Sequence, residues 1–243
     1  MRVAVVTPYH AEPEEQLAEC RRSVQQQTHP CTHFLVADGA PSPVVAAPGE
    51  QHIVLPRPHA DHGDTPRAIG SLSAIAQGFE AVTYLDADNW YSPEHIQCMV
   101  DLHLATRAAV CVASRSLHRL DGSLLSAAGE PEEGVSYVDT NCLFFTQDAY
   151  RLIPLWALLP PRLHAIGDRV IWAAIKAFRV RVARRKSPTV SYRTAFRVHY
   201  EERGEEPPPD AKSNTHVLEA FAWWRALPEP ERQVVLARLG FRF

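Results

Sequence analysis

Short apolar runs alternate with amphipathic stretches over the first 115 residues of the chain. The runs are five or six residues long and contain no Asp, Glu, Lys or Arg, which is typical of strands buried on both faces of a sheet. They are Val3–Thr7, Thr32–Ala37, Gln51–Leu55, Ala81–Leu85 and Ala109–Ala113. Each run therefore predicts a buried strand.

Between these strands, apolar residues recur at helical spacing. The first predicted helix covers Pro13–Gln27, the second begins near Asp64, which can cap a helix, and the third begins at Ser92. Their apolar faces are Leu17, Cys20 and Val24; Ile69, Leu72, Ala76 and Phe79; and Ile96, Met99, Val100 and Leu104. The alternation predicts an α/β fold whose mostly parallel sheet is covered by helices on both faces.

Beyond residue 115 the alternation weakens. The pattern predicts an irregular excursion, a strand, an amphipathic helix, a basic edge strand, an acidic Pro-rich loop and two terminal helices. In that order they are Leu117–Val138, Val138–Phe145, Val170–Phe178, Arg179–Lys186, Glu201–Asp210, Val217–Leu227 and Glu229–Leu239. No internal repeat or low-complexity linker divides the chain, so we expect one domain over residues 1–243.

The composition is that of an ordinary globular protein, with 46% hydrophobic and 22% charged residues. A net charge of −3 predicts no general attraction to nucleic acid or to anionic membranes. The five Cys residues form no CxxC pair and no zinc spacing with His, which favours reduced core thiols. The first residues lack a signal peptide's long apolar region, and no run reaches the roughly 18 apolar residues of a membrane span. We therefore expect a soluble, cytoplasmic protein.

Two carboxylates, Asp86 and Asp88, follow the run Ala81–Leu85 directly. Open α/β sheets bind ligands at the carboxyl ends of their strands. Paired carboxylates at this place suit a hard divalent cation, which prefers oxygen ligands and can clamp a diphosphate. Taken alone, such a pair is more often a turn or a helix cap, so the surrounding motifs decide between these interpretations.

Residues 1–200 resemble the family 2-like glycosyltransferases of GT-A fold. The first strand continues into Thr7-Pro8-Tyr9, like the strand whose end meets the nucleotide in that family. The first helix carries Ser23-Val24-Gln25-Gln26-Gln27-Thr28, similar to the family's helix ending, and residues 35–40 read LVADGA, similar to its V-D-D-G-S segment. The resemblance implies a nucleotide-binding half over 1–115, an acceptor-side half over 116–200, and a loop with terminal helices over 201–243.

The resemblance also implies roles for particular residues. Thr7, Pro8 and Tyr9 would line the nucleotide site, and Asp38 would contact the base or ribose. Asp86-Ala87-Asp88 corresponds to the family's DxD motif, in which Asp86 faces the nucleotide as well as the metal and Asp88 binds the metal more directly. The cofactor would be Mn²⁺ or Mg²⁺.

An additional metal ligand, His199, is suggested by its place after the predicted sheet, where many GT-A enzymes carry a His. An imidazole ligand suits Mn²⁺ better than Mg²⁺. With 12 His in the chain, any single one is more often an ordinary core or surface residue.

The chain departs from the family pattern at several positions. Ala37 replaces the first Asp of the usual acidic pair, and residues 62–67 match the usual Asn/Gly-rich segment only loosely. The acceptor-site Glu-Asp pair appears as Gly167-Asp168, and the late Gln-x-x-Arg-Trp motif of processive members is absent. These departures leave the donor sugar and the acceptor class open.

Arg67 and Asp38 also have a physical interpretation of their own. Arg67 lies in the first turn of a predicted helix, where it opposes the helix dipole unless an anion such as a phosphate binds there. The alternative is a solvated surface arginine. Asp38 precedes Gly39 at a strand end, and the alternative there is a plain Asp-Gly turn.

Asp168 is the candidate general base. An inverting transfer needs one carboxylate to accept the proton of the acceptor hydroxyl while the departing diphosphate is stabilised. Asp168 precedes an apolar helix, so the alternative is that it serves only as an N-cap. Asp139, at the start of another predicted strand, is the second candidate for the base.

The sequence thus predicts a metal-dependent, inverting transfer of a hexose-like sugar. The donor would be a nucleotide-diphospho-sugar, with UDP preferred because of the resemblance, and the acceptor a saccharide, a lipid-linked saccharide or a small molecule. A sugar nucleotidyltransferase is the first alternative, although residues 7–12 contain neither the Gly nor the Lys that its phosphate loop would need. A catalytically inactive nucleotide-sugar-binding module of the same fold is the second.

Overall fold

The computed structural model describes residues 1–43, 47–128 and 135–243. In this part of the chain, nine strands form one mixed sheet. They are β1 (Val3–Tyr9), β2 (Cys31–Ala37), β3 (Glu50–Val54), β4 (Ala81–Tyr84), β5 (Trp90–Tyr91), β6 (Val110–His118), β7 (Leu124–Ser126), β8 (Leu143–Thr146) and β9 (Val182–Arg193). The strand order is β3-β2-β1-β4-β8-β6-β9-β5, and β7 pairs with β6.

Eight α-helices accompany the sheet in the described residues. They are α1 (Glu14–Gln25), α2 (Asp64–Ala76), α3 (His95–Thr106), α4 (Leu155–Leu158), α5 (Gly167–Ala177), α6 (Arg197–Glu201), α7 (Thr215–Ala226) and α8 (Glu229–Leu239). Short 3-10 turns lie at Thr140–Cys142, Gln147–Leu152 and Pro161–Ile166. No helix in the described ranges is long and apolar enough to cross a membrane.

The sheet is parallel where the sequence alternates most regularly. β3, β2, β1 and β4 run parallel to one another, whereas β8 runs antiparallel to both of its neighbours, β4 and β6. β9 returns parallel to β6. The predicted α/β class is confirmed, with the antiparallel pairs confined to the later strands.

Helices cover both faces of the parallel strands, as predicted. Val6 and Thr7 are neighbours in β1 and point to opposite faces. Val6 packs against Gly70 of α2, and the Thr7 hydroxyl lies 3.8 Å from the Cys20 thiol of α1. α1 and α2 therefore sandwich the sheet at its centre.

The predicted apolar face of α2 is only half right. Phe79 is buried and Ile69 packs against the core, but Leu72 is 45% exposed and Ala76 is also exposed, and the residues buried within the helix are mostly small. A Cβ on Gly70 would lie only 2.6 Å from Val6 Cγ1, so the helix approaches the sheet too closely for large side chains. Close packing, rather than hydrophobicity, selects the face that α2 buries.

Other boundaries also differ from the prediction. Leu104 of α3 is 53% exposed instead of buried, and the strand predicted over Val138–Phe145 begins only at Leu143, after a 3-10 turn. The basic strand is longer than predicted and continues to Arg193. Residues 129–134 of the predicted irregular excursion lie outside the described residues, while the two terminal helices form as predicted.

Candidate functional site

Three strands deliver polar residues to one edge of the sheet. β1 ends at Tyr9, β2 is followed by Asp38, and β4 is followed by Leu85 and Asp86. The three strands are parallel neighbours, so their carboxyl ends lie side by side. Open α/β sheets bind ligands at this edge.

Asp86 is held by partners from two different elements. One carboxylate oxygen accepts a hydrogen bond from the guanidinium of Arg67 on α2, and the other accepts one from the Asn141 side-chain amide at 2.9 Å. The Asn141 side-chain oxygen in turn accepts the Asp86 backbone N–H at 2.6 Å. Arg67 is thus buried in an ion pair with Asp86 and is not the solvated surface arginine that the sequence left open.

Asp88 lies two residues further along the chain, and its carboxylate has different surroundings. In the described part of the chain, no other side chain donates a hydrogen bond to its carboxylate, and Arg193 binds only its backbone oxygen. Burial, reinforced by the neighbouring charge of Asp86, raises the pKa of Asp88 to about 7. The Asp88 carboxylate forms no ion pair among the described residues, and the nearby charge of Arg193 offsets only part of this rise in pKa. A half-buried carboxylate in this state can take a cation as its partner.

Asp38 is buried and bound by a neighbouring loop. Its carboxylate accepts hydrogen bonds from the His59 backbone N–H at 3.0 Å and bonds to His59 Nδ1 at 2.6 Å. Gly39 follows with φ of 79°, and a Cβ there would lie 2.4 Å from the backbone of Pro58. The Asp-Gly pair therefore forms a tight turn that brings Asp38 against the 57–59 loop, and its contact with a nucleotide remains a prediction.

The side chains at the end of β1 are largely turned inward. The Thr7 hydroxyl is fully buried and bonds to His33 Nε2 at 2.8 Å, while the Tyr9 hydroxyl bonds to His52 Nε2 at 2.6 Å. Pro8 packs beside Gly63, at the start of α2. A nucleotide contact from Thr7 would consequently have to use its backbone.

A cavity of about 570 Å³ lies next to Arg67, but it is not lined by the strand-end residues Thr7, Pro8, Tyr9, Asp38, Asp86 or Asp88. It is lined by residues from α2, β6, β9, α5, α6, α7 and the loops between them. Arg67 lies in its wall, so the Asp86 carboxylate that Arg67 binds is adjacent to the cavity. Both base candidates, Asp139 and Asp168, line it as well.

Asp168 lies in the first turn of α5, two residues past the N-cap position, and its carboxylate accepts a hydrogen bond from the backbone N–H of Arg169 at 2.7 Å. The N-cap position is Ile166, and no side chain there accepts a capping hydrogen bond. The charged partner of Asp168 is Arg169, whose guanidinium is 3.4 Å from each carboxylate oxygen. Burial raises the pKa of Asp168, opposed by Arg169 and reinforced by Asp139. A carboxyl group in this state is suited to accept a proton.

Asp139 is more fully engaged than Asp168. One of its oxygens accepts from Arg115 at 2.6 Å, and the other accepts from the backbone and the side chain of Asn141 at 3.0 and 2.7 Å. Both of its oxygens are thus already occupied. Asp139 therefore orients Asn141, which in turn orients Asp86.

His199 lines the cavity but is buried, and its Nδ1 bonds to the Thr194 hydroxyl at 2.6 Å. Among the described residues, no three His, Cys, Asp or Glu side chains lie close enough to hold a metal ion together. The set of Asp86, Asp88 and His199 thus stays a prediction, in which Asp88 has the most suitable surroundings.

The sequence did not predict the pair formed by Asp64 and His164. Asp64 is buried, with one oxygen 2.7 Å from His164 Nδ1 and the other 3.4 Å from Arg67. Burial raises its pKa to about 6, although both partners lower it. Asp64 does not cap α2, since the Thr65 N–H bonds to Asp61 instead. The Asp64–Arg67 spacing of one helical turn was a signal for their contact, whereas nothing local indicated His164.

Comparisons with known proteins identify the family and the fold of the chain. The sequence profile described as Glycosyl transferase family 2 matches residues 4–152. Among curated protein sequences, none matches the chain significantly. Solved structures of S. aureus TarS have the same fold: TarS 1–349 gives a TM-score of 0.61 at 13% identity, covering 98% of this chain and 70% of that one.

Two further TarS structures are similar. TarS 1–349 in complex with UDP gives a TM-score of 0.60 at 14% identity, with 98% of this chain and 70% of that chain covered. A longer TarS chain gives a TM-score of 0.60 at 14% identity, with 98% of this chain and 43% of that chain covered. The present chain thus spans less than half of the longer one.

Proposed function

Since this chain belongs to glycosyl transferase family 2, we propose that it transfers a sugar from a nucleotide-diphospho-sugar, UDP-linked by preference, to an acceptor hydroxyl with inversion at the anomeric carbon. The observation that carries the proposal is the convergence of Arg67, Asp86 and Asp88 at the sheet edge, beside a cavity that Asp168 also lines. TarS, which shares the fold, forms complexes with UDP and with UDP-GlcNAc.

The donor would be held at the carboxyl ends of β1, β2 and β4. Asp38 would contact the base or ribose by exchanging its hydrogen bonds with His59 for bonds to the nucleotide. The guanidinium of Arg67, at the N-terminal turn of α2, places positive charge beside Asp86, and helix N-termini favour phosphate. The diphosphate would therefore lie between α2 and Asp88.

A divalent cation fits this place because the Asp88 carboxylate is half-buried and forms no ion pair among the described residues, since the nearby Arg193 guanidinium binds its backbone oxygen instead. Asp88 would hold it, with Asp86 and His199 as further candidates; when bound, such an ion neutralises the charge that develops on a departing diphosphate. Mn²⁺ and Mg²⁺ both accept carboxylate oxygens, and His199 would favour Mn²⁺.

Asp168 would act as the general base. It would accept the proton of the acceptor hydroxyl as that oxygen bonds to the anomeric carbon. The bond between the anomeric carbon and the diphosphate oxygen breaks at the same time, and the nucleoside diphosphate leaves with the electron pair. Arg169 and Arg115, each paired with a carboxylate, keep Asp168 and Asp139 in place around the cavity.

A donor screen tests the proposal. Nucleotide-diphospho-sugars are added with and without Mn²⁺, and both the melting temperature and the release of nucleoside diphosphate are measured. We expect one donor class to raise the melting temperature and to be slowly hydrolysed, more so with Mn²⁺. No stabilisation and no hydrolysis by any donor, under either condition, would contradict the proposal. The anomeric configuration of a transfer product, read by NMR, tests inversion separately.

A further inference from the structure

A row of three rings lines one side of the cavity. Phe196 lies just before α6, His216 lies in α7, and His62 lies in the loop before α2. The ring centroids of Phe196 and His216 are 6.2 Å apart, and those of His216 and His62 are 6.0 Å apart with an interplanar angle of 22°. Three segments that are remote in sequence thus place adjacent ring surfaces along one side of the cavity.

His62 adopts a left-handed backbone conformation, which is uncommon outside glycine, although His adopts it more often than most residue types. Its φ is 58°, in the left-handed region, between Ala60 at 54° and Gly63 at 84°. The residue is exposed, so packing of its side chain in the core does not account for this conformation. Backbone outliers of this kind concentrate at functional sites, where the conformation aims a group at a ligand. Here it places the ring against His216 while the carbonyl accepts a hydrogen bond from Arg67 at 2.7 Å.

The charged side chains of the cavity are already paired. Arg67 is paired with Asp86 and Asp64, Arg115 with Asp139, and Arg169 with Asp168. Each arginine that lines the cavity thus has a carboxylate neighbour. The proposed function assigns Arg67 to the donor diphosphate, so an anionic acceptor would be left with Arg115 and Arg169 and would have to displace their carboxylate partners, whereas a neutral acceptor would not.

The geometry points to a subsite in which Phe196, His216 and His62 bind the sugar ring of a neutral saccharide acceptor. A pyranose has a face of C–H groups that packs on aromatic and imidazole rings, while its hydroxyls point to the sides. The Asp168 carboxylate lines the same cavity, so a sugar packed on the rings has a candidate base within the same space. This inference rests on the proposed glycosyl transfer and selects the saccharide from among its acceptor classes.

His62→Gly is the sharpest variant. Glycine readily adopts a positive φ, so this change relieves the backbone while it removes the ring and keeps the carbonyl for Arg67. We expect the melting temperature to stay the same or to rise, while saccharide binding weakens about tenfold. His216→Ala should weaken binding similarly, and His216→Phe, which keeps a ring, should restore it. Leu218→Ala is the matched control, since Leu218 is a 64% exposed residue of α7 outside the cavity.

The probes are cellobiose, maltose and chitobiose, with glycerol as a hydroxyl compound that has no ring. Their binding to the wild-type chain and to each variant is measured by saturation-transfer NMR, in the presence of nucleoside diphosphate and Mn²⁺. Support requires that at least one disaccharide binds, that its binding weakens in His62→Gly and His216→Ala, and that glycerol shows no such dependence. Failure of all three disaccharides to bind the wild-type chain, or equal binding by His62→Gly, would overturn the inference.

Donor hydrolysis without any acceptor separates this inference from the proposed function. If the wild-type chain hydrolyses a nucleotide-sugar but binds disaccharides no better than His62→Gly and His216→Ala do, only the acceptor inference fails. If no donor is bound or hydrolysed, the proposed transfer itself fails. For each variant we compare the ratio of transfer to hydrolysis, which should fall in His62→Gly and remain at the wild-type value in Leu218→Ala.

Discussion

Asp88 and Asp168 are acidic residues whose pKa is raised mainly by burial, yet their neighbours differ. For Asp88 the larger charge effect is the neighbouring carboxylate of Asp86, and Arg193 opposes it only weakly; for Asp168 the larger charge effect is the Arg169 guanidinium. A carboxylate beside a second carboxylate can share a metal ion with it, while one paired with an arginine side chain can accept a proton. Removing the charge of Asp88 is therefore expected to weaken metal-dependent nucleotide binding, whereas removing the charge of Asp168 is expected to lower turnover.

Replacing Asp88 by Asn should remove the metal-dependent part of nucleotide binding. The neutral amide introduced by Asp88→Asn would relieve the repulsion from Asp86, so the fold should be at least as stable as the wild type without metal. Calorimetric titration of UDP with and without Mn²⁺ measures the effect, and we expect the gain from Mn²⁺ to fall by about tenfold or more, or about 1.4 kcal/mol. Equal gains from Mn²⁺ in the two proteins would contradict the assignment of Asp88 as a metal ligand.

Replacing Asp168 by Asn should affect the chemical step alone. Loss of a general base costs about 10²–10⁴-fold in rate, while the affinity for nucleotide should stay near that of the wild type. Turnover, UDP affinity and melting temperature are measured for Asp168→Asn and Asp168→Ala. An active Asp168→Asn enzyme would remove Asp168 from the mechanism and direct attention to Asp139.

At the scale of elements, the close packing of α2 on the sheet determines where Arg67 lies. Its small buried face allows it to lie close to β1 and β2, and this position brings Arg67 to Asp86 and the Gly63 turn to Pro8. A helix with a bulky buried face would lie further from the sheet and would carry Arg67 away with it. The small buried residues of α2, which carry no chemical signal in the sequence, thus fix the position of Arg67.

Substitutions on the two faces of α2 test this packing. Gly70→Ala adds a methyl group 2.6 Å from Val6 Cγ1 and 2.9 Å from Val36 Cγ2, so the overpacking should exceed the gain in helix propensity. We expect a loss of about 1–3 kcal/mol in the free energy of unfolding. Leu72→Ala, on the exposed face, should change it by less than about 0.5 kcal/mol. Chemical denaturation measures both, and a larger loss for Leu72→Ala would restore the face predicted from the sequence.

At the scale of the whole molecule, a network of hydrogen-bonded polar side chains connects the strands of the first half to the cavity of the second. His164 bonds to Asp64, which neighbours Arg67, which binds Asp86, which is joined through Asn141 to Asp139 and Arg115. This network extends from α2 to the turn before α5, and α5 itself carries Asp168. The proposed donor and acceptor sides are thereby linked by hydrogen bonds as well as by the sheet.

The raised pKa of Asp64 makes the stability of the folded protein depend on pH. The folded protein holds the Asp64 proton up to about pH 6, whereas the unfolded chain releases it near 4, so this group's contribution to stability falls as the pH rises through that window. The linkage amounts to about 3 kcal/mol at most. Asp64→Asn should therefore flatten the decline in unfolding free energy between about pH 4 and 6. Parallel wild-type and variant curves over that window would exclude this linkage.

The sequence by itself determined those features that depend on local spacing. Uncharged runs and helical periodicity specified the α/β class and most elements of the first 115 residues, because burial on both faces of a strand demands apolar side chains throughout. The position of Asp86 and Asp88 directly after such a strand placed them at the carboxyl edge of the sheet. The resemblance to family 2 glycosyltransferases followed from motifs of the same kind and is confirmed by the family match.

Only the tertiary structure decided which side chains meet. The buried face of α2 depends on how closely a helix can approach two strands, and periodicity does not encode that distance. The partners of Asp64, Asp86 and His62 lie 100, 55 and 154 residues away, at His164, Asn141 and His216. Contacts over such separations depend on how the chain folds back on itself, so they emerge only when the sheet and its helices are assembled.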